Sequence, residues 1–220
     1  MSSPSGKLSL NVECTGGSLS YALTYNGLPV IMPSRLGLVS DEIDLGSGLE
    51  VTAVERDTVD RSWTPVWGEF AEVRDYFHEM ALTVGQPATG RTFTVRFRLF
   101  DDGLGFRYEI PEQDNINYVY LRDELTEFNL SGDHLAYCIP GDYDTNEFAY
   151  TTSRISDLEE EIEKRLYLKT YETKAEGGLS VQTPLMLRSD DGLYINIHEA
   201  ALVHYAAMLL DVDDVNFRLK

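Results

Sequence analysis

The stretch Thr183–Met208, TPLMLRSDDGLYINIHEAALVHYAAM, carries the reading of the fold. Leu185 and Leu187, then Leu193, Ile195 and Ile197, alternate with other residues at the period of half-buried strands. Asp191-Gly192 between them reads as a two-residue type I′ turn, whose central positions need positive φ that Asp and Gly tolerate. With Leu193, Ile195 and Ile197 toward the core, His198 leaves the sheet on the other face. Glu199 is then left at the strand end, placed to present a carboxylate to a neighbour. His198-Glu199 also opens the zinc-protease spacing HExxH, but position 202 is Leu202, so the second histidine is missing. From spacing alone Glu199 is an ordinary solvated acid.

The same alternation runs along the chain. Leu8, Leu10 and Val12 share a face, and Leu19–Tyr25 leads through Asn26-Gly27, a strong hairpin signal, into Leu28–Met32. Phe93, Val95, Phe97 and Leu99 oppose Thr94, Arg96 and Arg98, and Asp102-Gly103 turns that strand into Phe106, Tyr108 and Ile110. One face is therefore core and the other positive, with Arg96 or Arg98 read as surface pairs of Asp101. The exception is Ser156–Leu168, where Ser156 and Glu159 make a capping-box pattern and Leu158, Ile162 and Leu166 recur every four residues. That segment reads as a short amphipathic helix whose Glu159–Glu163 run is solvated. With no repeat, low-complexity tract or linker, residues 1–220 read as a single all-β antiparallel sandwich domain with a short helical insertion.

Composition bounds the function. With 43% hydrophobic and 25% charged residues, a chain of 220 has the balance of one globular domain and buries a core without staples. A net charge of −19 and a pI near 4.4 exclude a nucleic-acid partner, whose phosphates would be repelled. No stretch reaches the roughly 18 continuous apolar residues of a membrane span. The start, Met1-Ser-Ser-Pro-Ser-Gly, lacks the apolar core of a signal peptide. Cys14 and Cys138 are either buried small residues or one bridge, and no CxxC pair suggests a metal.

Six segments carry a resemblance in order: Lys7–Val12, Tyr25-Asn-Gly27, Leu36-Gly-Leu-Val39, WTPVWGE at Trp63–Glu69, DGLGFRYEIP at Asp102–Pro111, and PGDYDTNE at Pro140–Glu147. Together with the IHEA segment at 197–200, they make the chain resemble the N-terminal domain of glycoside hydrolase family 97, which contains α-glucosidases and α-galactosidases. WTPVWGE and IHEA are its specific parts. The resemblance implies a two-sheet β-supersandwich of the galactose mutarotase-like kind, followed by a catalytic (β/α)8 barrel. It implies that Glu199 donates one ligand to a Ca2+ ion whose other ligands are barrel carboxylates, beside the general acid and base. It implies further strands beyond DVDDVNFRLK, so that this chain is expected to be a fragment lacking its last strands and the barrel. A periplasmic or secreted location also follows from the resemblance alone.

Candidate contacts to an oligosaccharide substrate are Trp63, Trp67, Tyr143 and Glu147. An indole plane packs against the apolar C–H face of a pyranose, although core or domain-interface packing is the ordinary role of such tryptophans. Asp142 and Glu147 equally suit a loop that bonds its own backbone. His78, His134, His198 and His204 have no metal spacing, and no GxSxG is present. Glycoside hydrolysis needs two carboxylates across the scissile bond, and in the family both belong to the barrel, so this chain alone is expected to be inactive. The alternatives are a free-standing carbohydrate-binding module or a purely structural domain. Edge strands left unpaired would favour a dimer.

Overall fold

A computed structural model describes residues 1–40, 43–116, 118–142, 148–164 and 179–220. The all-β class with a short helical insertion is what it shows: seventeen strands in antiparallel sheets and one short α-helix among the described residues. The chain clusters into two compact units, Met1–Pro29 with Pro33–Thr126, and Val30–Met32 with Glu127–Lys220.

In the first unit, β1 (Leu8–Thr15) and β2 (Ser18–Tyr25) form a hairpin, and β3 (Leu28–Leu36) follows through Asn26-Gly27. Asn26 at φ 49° and Gly27 at φ 82° are the two left-handed residues that this tight turn demands. β4 (Leu38–Ser40) pairs with β9 (Leu121–Glu124). The rest is a four-stranded meander of β5 (Glu50–Trp63), β6 (Val73–Gln86), β7 (Arg91–Leu99) and β8 (Leu104–Glu109). Its inner face buries Phe93, Val95, Phe97 and Leu99, the set that alternation assigns to the core. Tyr21 of β2 packs on Phe106 at 5.5 Å between centroids, and Phe97 on Phe106 at 5.9 Å, so one aromatic stack joins hairpin and meander.

The outer face of the meander departs from expectation. Arg96 and Arg98 pair with carboxylates of neighbouring strands, and Asp101 instead accepts from the Ser5 amide at 2.8 Å. Arg96 bridges Glu79 at 2.6 Å and Glu109 at 2.7 Å, Arg98 holds the other oxygen of Glu79 at 2.8 Å, and Arg107 holds Glu109 at 2.6 Å. Cross-strand register decides this, because Arg96 stands opposite Ala81 and Arg107, within reach of both glutamates but not of the turn.

That network makes a pH prediction. Hydrogen bonds from Arg96, then Arg107, outweigh desolvation and hold the Glu109 carboxyl down at about 2. Burial raises Glu79, but Arg98 and Arg96 overcome it and leave that carboxyl below its usual range. A carboxyl depressed in the folded state stabilises the fold fully above its unfolded value, and the contribution is lost as pH falls through the folded value. The stability of the parent should therefore fall from about pH 5 toward pH 2, and Arg96→Met should flatten that limb while costing about 1–3 kcal/mol at neutral pH. Urea melts across this range test it, and parallel limbs for parent and variant would refute the assignment.

In the second unit, β10 (Phe128–Leu130), β11 (Leu135–Cys138), β12 (Thr151–Arg154), β13 (Ser180–Gln182), β14 (Leu185–Arg188), β15 (Tyr194–Ile197), β16 (Leu209–Asp213) and β17 (Arg218–Leu219) form two sheets. One runs β12-β11-β14-β15, and the other runs β10-β17-β16-β13 with residues Val30–Met32 of β3 beside β10. Leu185, Leu187, Ala136, Cys138 and Leu210 are buried among them. Burial pushes the Cys138 thiol up to about 12. Cys14 and Cys138 are both free, so the bridge left open by the sequence is not made.

The expected helix is shorter and capped otherwise. A 3-10 turn at Ile155–Asp157 precedes α1 (Leu158–Glu163), whose N-cap Asp157 makes no side-chain capping bond. Ser156 instead donates its hydroxyl to Asp133 at 2.8 Å and its amide to the same carboxylate at 3.0 Å, which leaves the capping box unformed. Leu158 and Ile162 are buried as the four-residue spacing requires, while Leu166 and the end of the expected helix lie outside the described residues.

Candidate functional site

The hairpin that delivers Glu199 follows its register closely. Leu187 pairs with Ile195 and Leu185 with Ile197, and exposure alternates down β15 to buried Ile197, exposed His198 and half-buried Glu199. The turn differs from the type I′ reading. Gly192 donates to the Ser189 carbonyl at 3.0 Å and Ser189 to the Leu193 carbonyl at 2.9 Å, so Asp190-Asp191-Gly192 is a three-residue loop. Only Gly192, at φ 83°, is left-handed there, the pattern of a type I turn closed by a glycine bulge. The Ser189 hydroxyl secures it by accepting from the Leu193 amide at 3.1 Å, a contribution invisible in the Asp-Gly signal.

Glu199 is not a free strand-end acid. Its Oε1 accepts the Met208 amide at 3.0 Å and its Oε2 faces the Thr183 hydroxyl at 3.4 Å. Thr183 lies nearer the Met208 carbonyl, at 3.1 Å, so the three residues close a small ring of hydrogen bonds. The ring ties the end of β15 to the start of β16 and to Thr183, the residue that follows β13. It closes the base of the segment 200–207, where Leu202, Val203 and Tyr205 are exposed. Neither partner was legible in the sequence, because both depend on where β14 and β16 bring the chain back.

Each Glu199 oxygen keeps a lone pair beyond its protein donor, so the carboxylate is oriented and still able to bind a cation. Among the described residues no group of three or more His, Cys, Asp or Glu is placed to hold a metal. Calcium takes about six to eight oxygens, so the single Glu199 carboxylate needs further oxygen ligands to hold it.

The expected substrate contacts fall in separate places. Trp63 ends β5 and Trp67 lies in the β5–β6 turn, and both indoles are exposed, so core packing is not their role here. Trp63 Nε1 points at Asp75 at 3.4 Å, beside Arg61, in a shallow cleft lined by these three side chains. Tyr143 and Glu147 lie outside the described residues. Their neighbour Asp142 is buried, and Gly141 passes so close to β13 that a side chain there would collide with Ser180. Gly141 also donates its amide to the Ser180 carbonyl at 2.7 Å, which explains the glycine in PGDYDTNE by close backbone approach.

Comparison with known proteins bears on the whole chain. The sequence matches the description "Glycosyl-hydrolase 97 N-terminal" over residues 1–219. The chain belongs to this family. Among solved structures, a glycoside hydrolase family 97 enzyme from a Pseudoalteromonas strain, in complex with acarbose, is similar at TM-score 0.83 and 29% identity, covering 100% of this chain and 31% of that one. A β-arabinopyranosidase shares the fold at TM-score 0.81 and 21% identity, covering 99% of this chain and 34% of that one. A retaining α-galactosidase of Bacteroides thetaiotaomicron is 22% identical across 100% of this chain and 31% of its own length. The family 97 chain described here thus spans about a third of the relatives it matches. The all-β fold expected from the resemblance is the one these neighbours share.

Proposed function

We propose that this family 97 N-terminal domain supports the catalytic barrel of an α-glycoside hydrolase, active on α-glucosides or α-galactosides, and lends Glu199 to a calcium ion at the active site. The carrying observation is the Glu199 carboxylate itself. It is half-buried at a strand end, held by Met208 and Thr183, and retains lone pairs for a cation. Such orientation lowers the cost of ordering a ligand when the remaining oxygens arrive from elsewhere. Calcium, when bound, supplies positive charge beside the reacting sugar. Within this chain, Thr183 and the Met208 amide orient the carboxylate. The two carboxylates that hydrolysis requires belong to the barrel, and the enzyme works in the periplasm or outside the cell.

The test is to assay the complete enzyme on p-nitrophenyl α-glucoside and α-galactoside, with and without a calcium chelator. Hydrolysis of one of them, lost on chelation and restored by calcium, is the expected result. No turnover of either would overturn the substrate class, and turnover indifferent to chelation would overturn the calcium role.

A further inference from the structure

The tip of the β5–β6 hairpin is an exposed apolar feature that the proposed function leaves unused. Within Trp63–Phe70, Val66 is 99% exposed, Trp67 87%, Phe70 70% and Trp63 49%. Both tryptophans of the chain are in this cluster. Apolar side chains gathered in water mark an interaction surface, and tryptophan is the residue most enriched at the energetic centres of protein interfaces. The polar groups behind the turn are already engaged. Asp60 takes two bonds from Arg74 at 2.7 Å, and Asp75 faces Arg61 at 3.3 Å and the Trp63 N–H at 3.4 Å. These ion pairs neutralise one another, and the exposed Glu69 and Glu72 complete a polar rim around the apolar cluster that a partner would bury.

We propose that this hairpin tip is a docking surface for the catalytic part of the same polypeptide, with Trp67 and Phe70 as its anchors. The inference rests on the reading that the chain is one domain of a longer hydrolase. Its relatives continue well beyond the 31% of their length matched here, so a large tethered partner is available. A tether holds such a partner at an effective concentration of roughly millimolar, so a modest apolar patch suffices. A second copy is disfavoured because each chain carries a net charge of −19 and two would repel. A saccharide is disfavoured by chemistry. Val66 and Phe70 bring no hydrogen-bonding group, and the indole N–H of Trp63 is turned to Asp75, whereas sugar sites set polar groups around each aromatic plane.

Hydroxyl-radical footprinting of the complete enzyme tests this at Trp67 and Phe70. In the native enzyme both should oxidise about tenfold more slowly than in the same protein in urea, because an interface centre excludes water. Trp67→Glu, on an exposed turn that the fold tolerates, should restore the oxidation of Phe70. Oxidation within about twofold of the unfolded rate would overturn the proposal, since that is the behaviour of a solvated side chain. Protection that depends on protein concentration would overturn it in favour of a second copy. Protection only when maltotriose is added would overturn it in favour of a sugar site. Glycosidase activity is read in parallel. An active hydrolase with an unprotected tip refutes docking alone, and a protected tip in a protein without glycosidase activity refutes the functional reading alone.

Discussion

Glu199→Gln in the complete enzyme should lower calcium affinity by at least about 100-fold and activity with it, while leaving the fold intact. Glu199 closes a ring of hydrogen bonds with Thr183 and Met208. Glutamine has the same shape, so its amide oxygen accepts the Met208 N–H in place of Oε1. Its amide nitrogen then faces Thr183 Oγ1 and donates to it, while the Thr183 hydroxyl turns fully to the Met208 carbonyl. The local bonds survive and only the negative charge is lost. Glu199→Ala removes both, orphaning the Met208 amide at a further cost of about 1–3 kcal/mol in stability. Calcium titrations of activity alongside thermal melts separate the two roles. A Gln variant with unchanged calcium dependence and turnover would leave Glu199 as a staple of the second unit and nothing more.

The second large effect is in the first unit, where Phe97→Ala should cost about 3–5 kcal/mol, a major part of the roughly 5–15 kcal/mol that holds a domain together. Phe97 is fully buried on β7, the strand with β6 on one side and β8 on the other, and it packs on Phe106, which in turn meets Tyr21. Its truncation leaves a cavity walled by two rigid strands, which collapse poorly around the gap. Trp67→Ala in the same 220-residue chain is the control, expected within about 0.5 kcal/mol because its indole is in water. Equal denaturant midpoints for the two variants would show that the meander does not carry the core assigned to it.

The contrast between these residues shows what could be read in advance. Phe97 and its neighbours were assigned to the core by alternation alone, because a pleated strand sends successive side chains to opposite faces whatever it pairs with. Asn26-Gly27 was equally readable, since its left-handed conformations are a local property. The Asp191-Gly192 signal implies a loop one residue too short because the Ser189 hydroxyl, which stabilises the longer loop, carries no weight in the dipeptide pattern. Ser156 looked like a helix cap until β11 placed Asp133 within its reach.

Sequence alone therefore determined the strand-rich class, the buried faces and the position of Glu199 at a strand end, all consequences of short-range geometry. Its motifs also pointed to the family that the whole-chain match establishes. Only the tertiary structure decided which groups Glu199, Arg96 and Trp63 meet. Thr183 and Met208 lie 16 and 9 residues from Glu199, and Glu79 and Glu109 lie 17 and 13 residues from Arg96. Strand register selects such partners, and register is settled by the packing of whole sheets, not by any stretch of sequence that contains the residue.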